Sequence, residues 1–145
     1  MSGIVVGIDG SEYSQQVLEW AVKEAGLRKT SMTVLTVWQV AGNHWTGHPV
    51  VYPPDQAAAE KLRQAAEEAT RKAVDAAGAP GPTSVTVRAV SGIAAQELIS
   101  VSDDADLVVV GARGGGGFAR LMLGSTSHQV VGHAAAPVVV IPVGR

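Results

Sequence analysis

Five short apolar runs, separated by segments of helical periodicity, constrain this chain more than any other feature. The runs are "GIVVGID" from Gly3, "SMTVLTVWQV" from Ser31, "TSVTVRAV" from Thr83, "ADLVVVG" from Ala105 and "PVVVIPV" from Pro137. β-Branched residues dominate them, and the fourth and fifth lack the polar alternation of a half-solvated strand, so they read as strands buried on both faces. Between the first two, "SEYSQQVLEWAVKEAGLRK" places Val17, Leu18, Ala21, Val22 and Ala25 at helical spacing, with Ser11 as the expected N-cap and Gly26 as the expected C-cap. Residues 41–55 hold Gly, Asn and three prolines and read as a long loop. A long Ala-rich helix follows over 56–78, with Glu67/Arg71 and Glu68/Lys72 pairs at i,i+4 spacing and Gly78 as its stop. "GIAAQELISVSDD" and a stretch near Ser125–Ala135 supply two shorter helices.

Strands alternating with helices predict an α/β fold, an open parallel sheet with helices on both faces. Right-handed crossovers bring every strand's carboxyl end to one edge, and ligands bind along that edge where the strand order reverses. Asp9 and Gly111 stand at the ends of two strands and so belong to that edge. The 145 residues suit one domain over 1–145, and with aromatics at only 4% its core must be built from Val, Ile, Leu and Ala. There is no cysteine, which removes disulfides, thiolate metal sites and a thiol nucleophile. A net charge of −2 gives no reason to expect nucleic acid or a membrane surface as partner. No signal peptide is visible and no run approaches the ~18–20 apolar residues of a membrane span, so a cytoplasmic protein is expected.

The charge is unevenly placed. No Asp or Glu follows Asp106, while Arg113, Arg120, Arg145, His128 and His133 do. A locally basic stretch that also holds four consecutive glycines points to a small anionic ligand. "GARGGGGFARLMLGSTSHQV" (Gly111 to Val130) has no lysine, so it is not a Walker A loop. Gly114, Gly116 and Ala119 nominally meet the dinucleotide pattern, but after the fourth strand and with no acidic residue downstream to hold a ribose.

Gly111, Gly114, Gly124 and Ser125 give the spacing G-x2-G-x9-G-S. This resembles the ATP-binding signature of the universal stress protein family. The opening "IVVGIDGSEYS" and the closing "APVVVIPV" also look like that family's first and last strands. The resemblance covers the whole chain and implies a five-stranded parallel sheet of order 3-2-1-4-5, with the first and fourth strands adjacent at the switch point.

It also implies roles. Asp9 would accept hydrogen bonds from the ribose hydroxyls, though an Asx turn or helix cap is an ordinary fate for such a residue. The backbone of Val37 would meet the adenine, with Ile8 lining the same pocket; both side chains also read as core. Gly111, Gly114 and Gly124 would let the backbone approach the phosphates. Ser125 and Ser127 would donate hydroxyls and Thr126 its backbone N–H at a helix N-terminus, where Ser125 also suits a cap. Arg113 either reaches phosphate or is solvated, and Arg120 has the same two options. Mg²⁺ would be held mainly through the phosphates.

Other groups carry less. His44 and His48 have H-x3-H spacing but lie in a Gly/Pro loop and read as solvated. Trp38, Trp45 and Tyr52 either cover a base or pack that loop onto the domain. Ser125, Ser127 and His128 lack an acidic orienter and the nucleophile-elbow context, so no hydrolase triad is expected. The expected function is an ATP-dependent switch in stress response with no catalytic residue, set against a slow ATPase or phosphoryl-transfer enzyme and a nucleotide-free interaction module. A homodimer is expected through the bare last strand, centred on Val138, Val139, Val140, Ile141 and Val143.

Overall fold

The structure, a computed structural model, describes residues 3–10, 13–38, 56–78, 84–112 and 125–142. Its elements alternate as expected: β1 (Ile4–Ile8), α1 (Ser14–Arg28), β2 (Met32–Trp38), α2 (Gln56–Ala76), β3 (Val85–Ser91), α3 (Ala94–Ser102), β4 (Leu107–Gly111), α4 (Ser125–His133) and β5 (Val138–Ile141). The five strands form one sheet of order β3-β2-β1-β4-β5, and every pairing is parallel.

Alternate strand residues feed two cores. Ile4, Val6 and Ile8 of β1 join Val17, Leu18, Ala21 and Val74 under α1 and α2. Val5 joins Leu35, Leu98 and Val130 under α3 and α4. Gly7 faces the second core, where α3 comes so close that a Cβ would fall 2.7 Å from Leu98 Cδ1. Two buried polar contacts tie elements together. The buried Thr36 hydroxyl lies 2.6 Å from that of Thr70, which itself donates to the Ala66 carbonyl. The buried Ser102 hydroxyl donates to Ile99 and accepts the Ala135 N–H.

Helix α1 departs from expectation at both ends. It starts at Ser14 behind Tyr13, whose side chain makes no cap bond, while Ser11 lies outside the described residues. Gly26 does not end it. The helix runs through Gly26, and Lys29 takes the left-handed conformation instead (φ 54°). Thr30 N–H reaches Ala25 O and Lys29 N–H reaches Gly26 O, which is a Schellman motif with lysine in glycine's usual place. An Arg28–Glu24 ion pair at 2.8 Å supports this end of the helix.

Helix α2 stops before Gly78 (φ 74°) as expected. Its Arg71–Glu67 and Lys72–Glu68 pairs form at 3.1 and 3.8 Å, and Arg63 adds bonds to Glu60 and Glu67. Hydrogen bonds from Arg71 and Arg63 hold the Glu67 carboxyl below its ordinary range, and the bond from Arg63 does the same for Glu60. Buried residues occur only at Thr70 and Val74; none of the positions from Gln56 to Ala69 is buried. Since α2 runs antiparallel to β2 and Thr70 meets Thr36, two residues before the end of β2, its first turns rise past the carboxyl edge of the sheet.

Candidate functional site

The two central strands are fastened at one end and parted at the other. At the amino edge, Gly3 N–H donates to Asp106 Oδ2 and Asp106 N–H donates to Gly3 O, both at 2.9 Å. From there β1 and β4 pair from Ile4/Leu107 to Val6/Val109. Beyond that point each keeps only its outer neighbour. β1 stays on β2 to Ile8/Thr36, and β4 stays on β5 to Gly111/Ile141. A crevice therefore opens between Ile8–Asp9 and Val110–Ala112, at the place where the chain leaves β1 to one side and β4 to the other. That is the switch point at which open α/β sheets take ligands.

Asp9 stands exposed on one lip of the crevice. Gly10 follows with φ 78°, a left-handed turn that returns the chain toward α1. There the Ser14 hydroxyl, 6% exposed, donates to Asp9 Oδ1 at 3.3 Å. Ile8 is buried in the core beneath α1 and α2, so its side chain is structural. Val37 lies one residue past Thr36, the partner of Ile8, and is therefore level with Asp9. Its half-buried side chain packs on the α3–α4 core, and it pairs with Val90 of β3.

The other lip is the end of β4 and the start of α4. Gly111 pairs with Ile141, and Ala112 N–H donates to Ile141 O at 2.8 Å. Ser125, the first residue of α4, is exposed, and Thr126 is half-buried. Ser127 differs from the expected phosphate donor. It is 2% exposed and its hydroxyl donates to the Ala112 carbonyl at 3.2 Å. In this geometry its proton fastens the first turn of α4 to the end of β4, because a hydroxyl has a single proton to donate.

The structure thus brings together Asp9, Val37, Gly111 and the 125–127 turn. Arg113, Gly114, Gly124 and Arg120 lie outside the described residues, as do His44, Trp45, His48 and Tyr52. Among the described residues no group of three or more His, Asp or Glu is placed to hold a metal, and no helix is long and apolar enough to cross a membrane. Sequence reasoning passed over Ser14. Its signal was its place at the head of the apolar helical pattern, five residues after Asp9.

A five-stranded, doubly wound α/β sheet of order β3-β2-β1-β4-β5, with Asp9 and the start of α4 at its carboxyl edge, defines the class of fold. Within that class the chain belongs to the universal stress protein family, whose model matches residues 1–142. A universal stress protein of Mycolicibacterium smegmatis is 34% identical over 139 residues, 96% of this chain and 47% of its own length. The chain spans about half the length of the curated relatives it matches. Among solved structures, UspA from Lactobacillus plantarum superposes with a TM-score of 0.77 at 26% identity, covering 97% of both chains. A universal stress protein in complex with cAMP gives 0.62 at 27% identity, covering 97% of this chain and 95% of its own. The universal stress protein from Archaeoglobus fulgidus in complex with dAMP gives 0.54 at 26%, covering 97% and 98%.

Proposed function

We propose that this chain binds an adenine nucleotide, ATP with Mg²⁺, in the crevice between β1 and β4, and that it acts as a nucleotide-dependent switch in stress response. The observation that carries this reading is the parting of the two central strands, with the Asp9 carboxylate on one lip and the α4 N-terminus on the other. Asp9 takes the ribose hydroxyls, Val37 offers its backbone to the base and Ile8 backs the pocket. The α4 N-terminus meets phosphate through its backbone N–H groups and the Ser125 hydroxyl. Gly111, Gly114, Gly124 and Arg113 complete the phosphate side. The cation travels with the phosphates and water. The ligand comes from the ATP of the cytoplasm. The cAMP and dAMP held by two similar proteins support an adenine nucleotide as the ligand class.

Two copies pair through β5. This strand has β4 on one side and an open edge on the other. The Pro137 and Ile141 carbonyls accept from Val108 and Ala112, so by parallel alternation Val138 and Val140 turn their N–H groups outward.

Thermal unfolding with and without Mg-ATP tests the nucleotide reading. Ligand at 100 times its Kd adds about 2.7 kcal/mol, several degrees for a domain of this size. The shift is expected for the native chain and is expected to vanish in Gly124→Asp. No shift in a nucleotide-free preparation refutes the reading.

A further inference from the structure

We propose that Ser14 is a positioning residue for Asp9, and that it tunes the site's preference for a ribose with both hydroxyls. This rests on the reading that Asp9 meets the ribose. Ser14 touches no ligand itself. It is buried at the head of α1, and its hydroxyl donates to Asp9 Oδ1 across the turn made by Gly10.

Three observations give the contact this meaning. First, Tyr13, which precedes α1, makes no side-chain cap bond, and the helix's first turn holds no acidic residue. Second, the contact joins a side chain 6% exposed to one that is exposed, so the interior end is fixed by packing and the outer end is held by it. Third, Asp9 leaves β1 where the ladder to β4 has already ended, so no β1–β4 pairing steadies the backbone at that lip.

A carboxylate anchored at one oxygen has its plane fixed. Reading two vicinal hydroxyls requires that, since both must meet acceptor lone pairs in one geometry. A carboxylate held less firmly at Oδ1 still attracts one hydroxyl but selects less well between one and two. Neither ligand of the similar proteins presents a free 2′,3′-diol: dAMP lacks the 2′-hydroxyl and cAMP has its 3′-oxygen in the cyclic phosphate. Ser14 thus bears on discrimination between ATP and such ligands.

The experiment is calorimetric titration of the native chain, Ser14→Ala, Ser14→Cys, Ser14→Thr and Asp9→Asn with Mg-ATP and with its 2′-deoxy analogue. One hydrogen bond to a charged acceptor corresponds to about 10- to 100-fold in affinity. The native chain is expected to prefer ATP by that factor. Ser14→Ala and the near-isosteric, weakly donating Ser14→Cys should lose most of the preference by weakening ATP alone. Ser14→Thr, which keeps the hydroxyl, should retain it, and Asp9→Asn sets the floor. A residue that only supports α1 would weaken both nucleotides equally and leave the ratio unchanged. Native preference with an unchanged ratio in both Ser14→Ala and Ser14→Cys overturns the inference and leaves the nucleotide reading standing. ATP binding without preference in the native chain removes Asp9 from the ribose and overturns it too. No binding of either nucleotide by the native chain overturns both.

Discussion

Replacing Gly7 by alanine tests whether α3 packs on β1 as closely as described. The added Cβ would lie 2.7 and 2.9 Å from the two terminal methyls of Leu98, which is itself 2% exposed and enclosed by the α3–α4 core. Those methyls have no open space to enter, so the strain of overpacking, about 1–3 kcal/mol, is the dominant effect. Alanine recovers about 0.5–1 kcal/mol through the lower entropy of its unfolded chain. The net expectation is a loss of about 1–2 kcal/mol. With an unfolding entropy of about 2.1 cal/mol/K per residue, that is a fall in Tm of roughly 3–7 °C. In a Leu98→Ala background, itself destabilised by about 2–5 kcal/mol, the same substitution meets a cavity instead of two methyls, and its sign reverses. Urea unfolding of the four proteins, with equal m-values, measures the cycle. Equal penalties for Gly7→Ala in both backgrounds would refute the packing argument, because the two sites would then be independent.

Other contacts give further outcomes. Thr70→Val leaves the buried Thr36 hydroxyl without its partner and should cost about 1–3 kcal/mol in urea unfolding, whereas the Thr36→Val/Thr70→Val double variant should recover much of that loss. Lys29→Gly relieves a left-handed residue at the end of α1 and should raise stability by about 1 kcal/mol in the same assay. The carboxyls of Glu60 and Glu67 lie below their ordinary range when folded, so their support of α2 is present above the ordinary glutamate value, about pH 4.3, and is lost as pH falls through and below it. Circular dichroism between roughly pH 5 and pH 3 should show helix loss, with a smaller acid-dependent change in Glu67→Gln. Val140→Pro removes an outward N–H from the β5 edge and should shift sedimentation from dimer to monomer while leaving the β4 ladder intact.

A parallel sheet covered on both faces was legible in the sequence because β-branched runs and helical runs alternate without ambiguity, whereas the strand order was implied by the family resemblance, since alternation alone does not say which strands are neighbours. The ends of α1 were not. Ser11 and Gly26 are better terminators by type than Tyr13 and Lys29, but helix boundaries follow packing. Ala25 is fully buried, and the Glu24–Arg28 pair supports the helix to Arg28, two residues past the glycine. At the site, Asp9 and Gly111 were placed by the logic of strand ends alone. The buried roles of Ser14 and Ser127 were not legible, because a serine's type does not say whether its proton goes to solvent, to a ligand or to the backbone. That depends on which carbonyl or carboxylate the fold brings within reach, Asp9 Oδ1 in one case and Ala112 O in the other.

The exposed first half of α2 has a consequence for how the molecule opens. From Gln56 to Ala69 no side chain is buried, and the ion pairs among Glu60, Arg63, Glu67 and Arg71 are internal to the helix. A segment with no buried side chain is the part of the helix expected to open first. Its amides exchange through fraying events that leave the sheet intact, while those from Thr70 onward exchange only when the core under α2 is disrupted. The boundary between the two regimes falls at the Thr36–Thr70 contact. One continuous helix therefore contains two thermodynamic units, and the outer one stands beyond the carboxyl edge of the sheet.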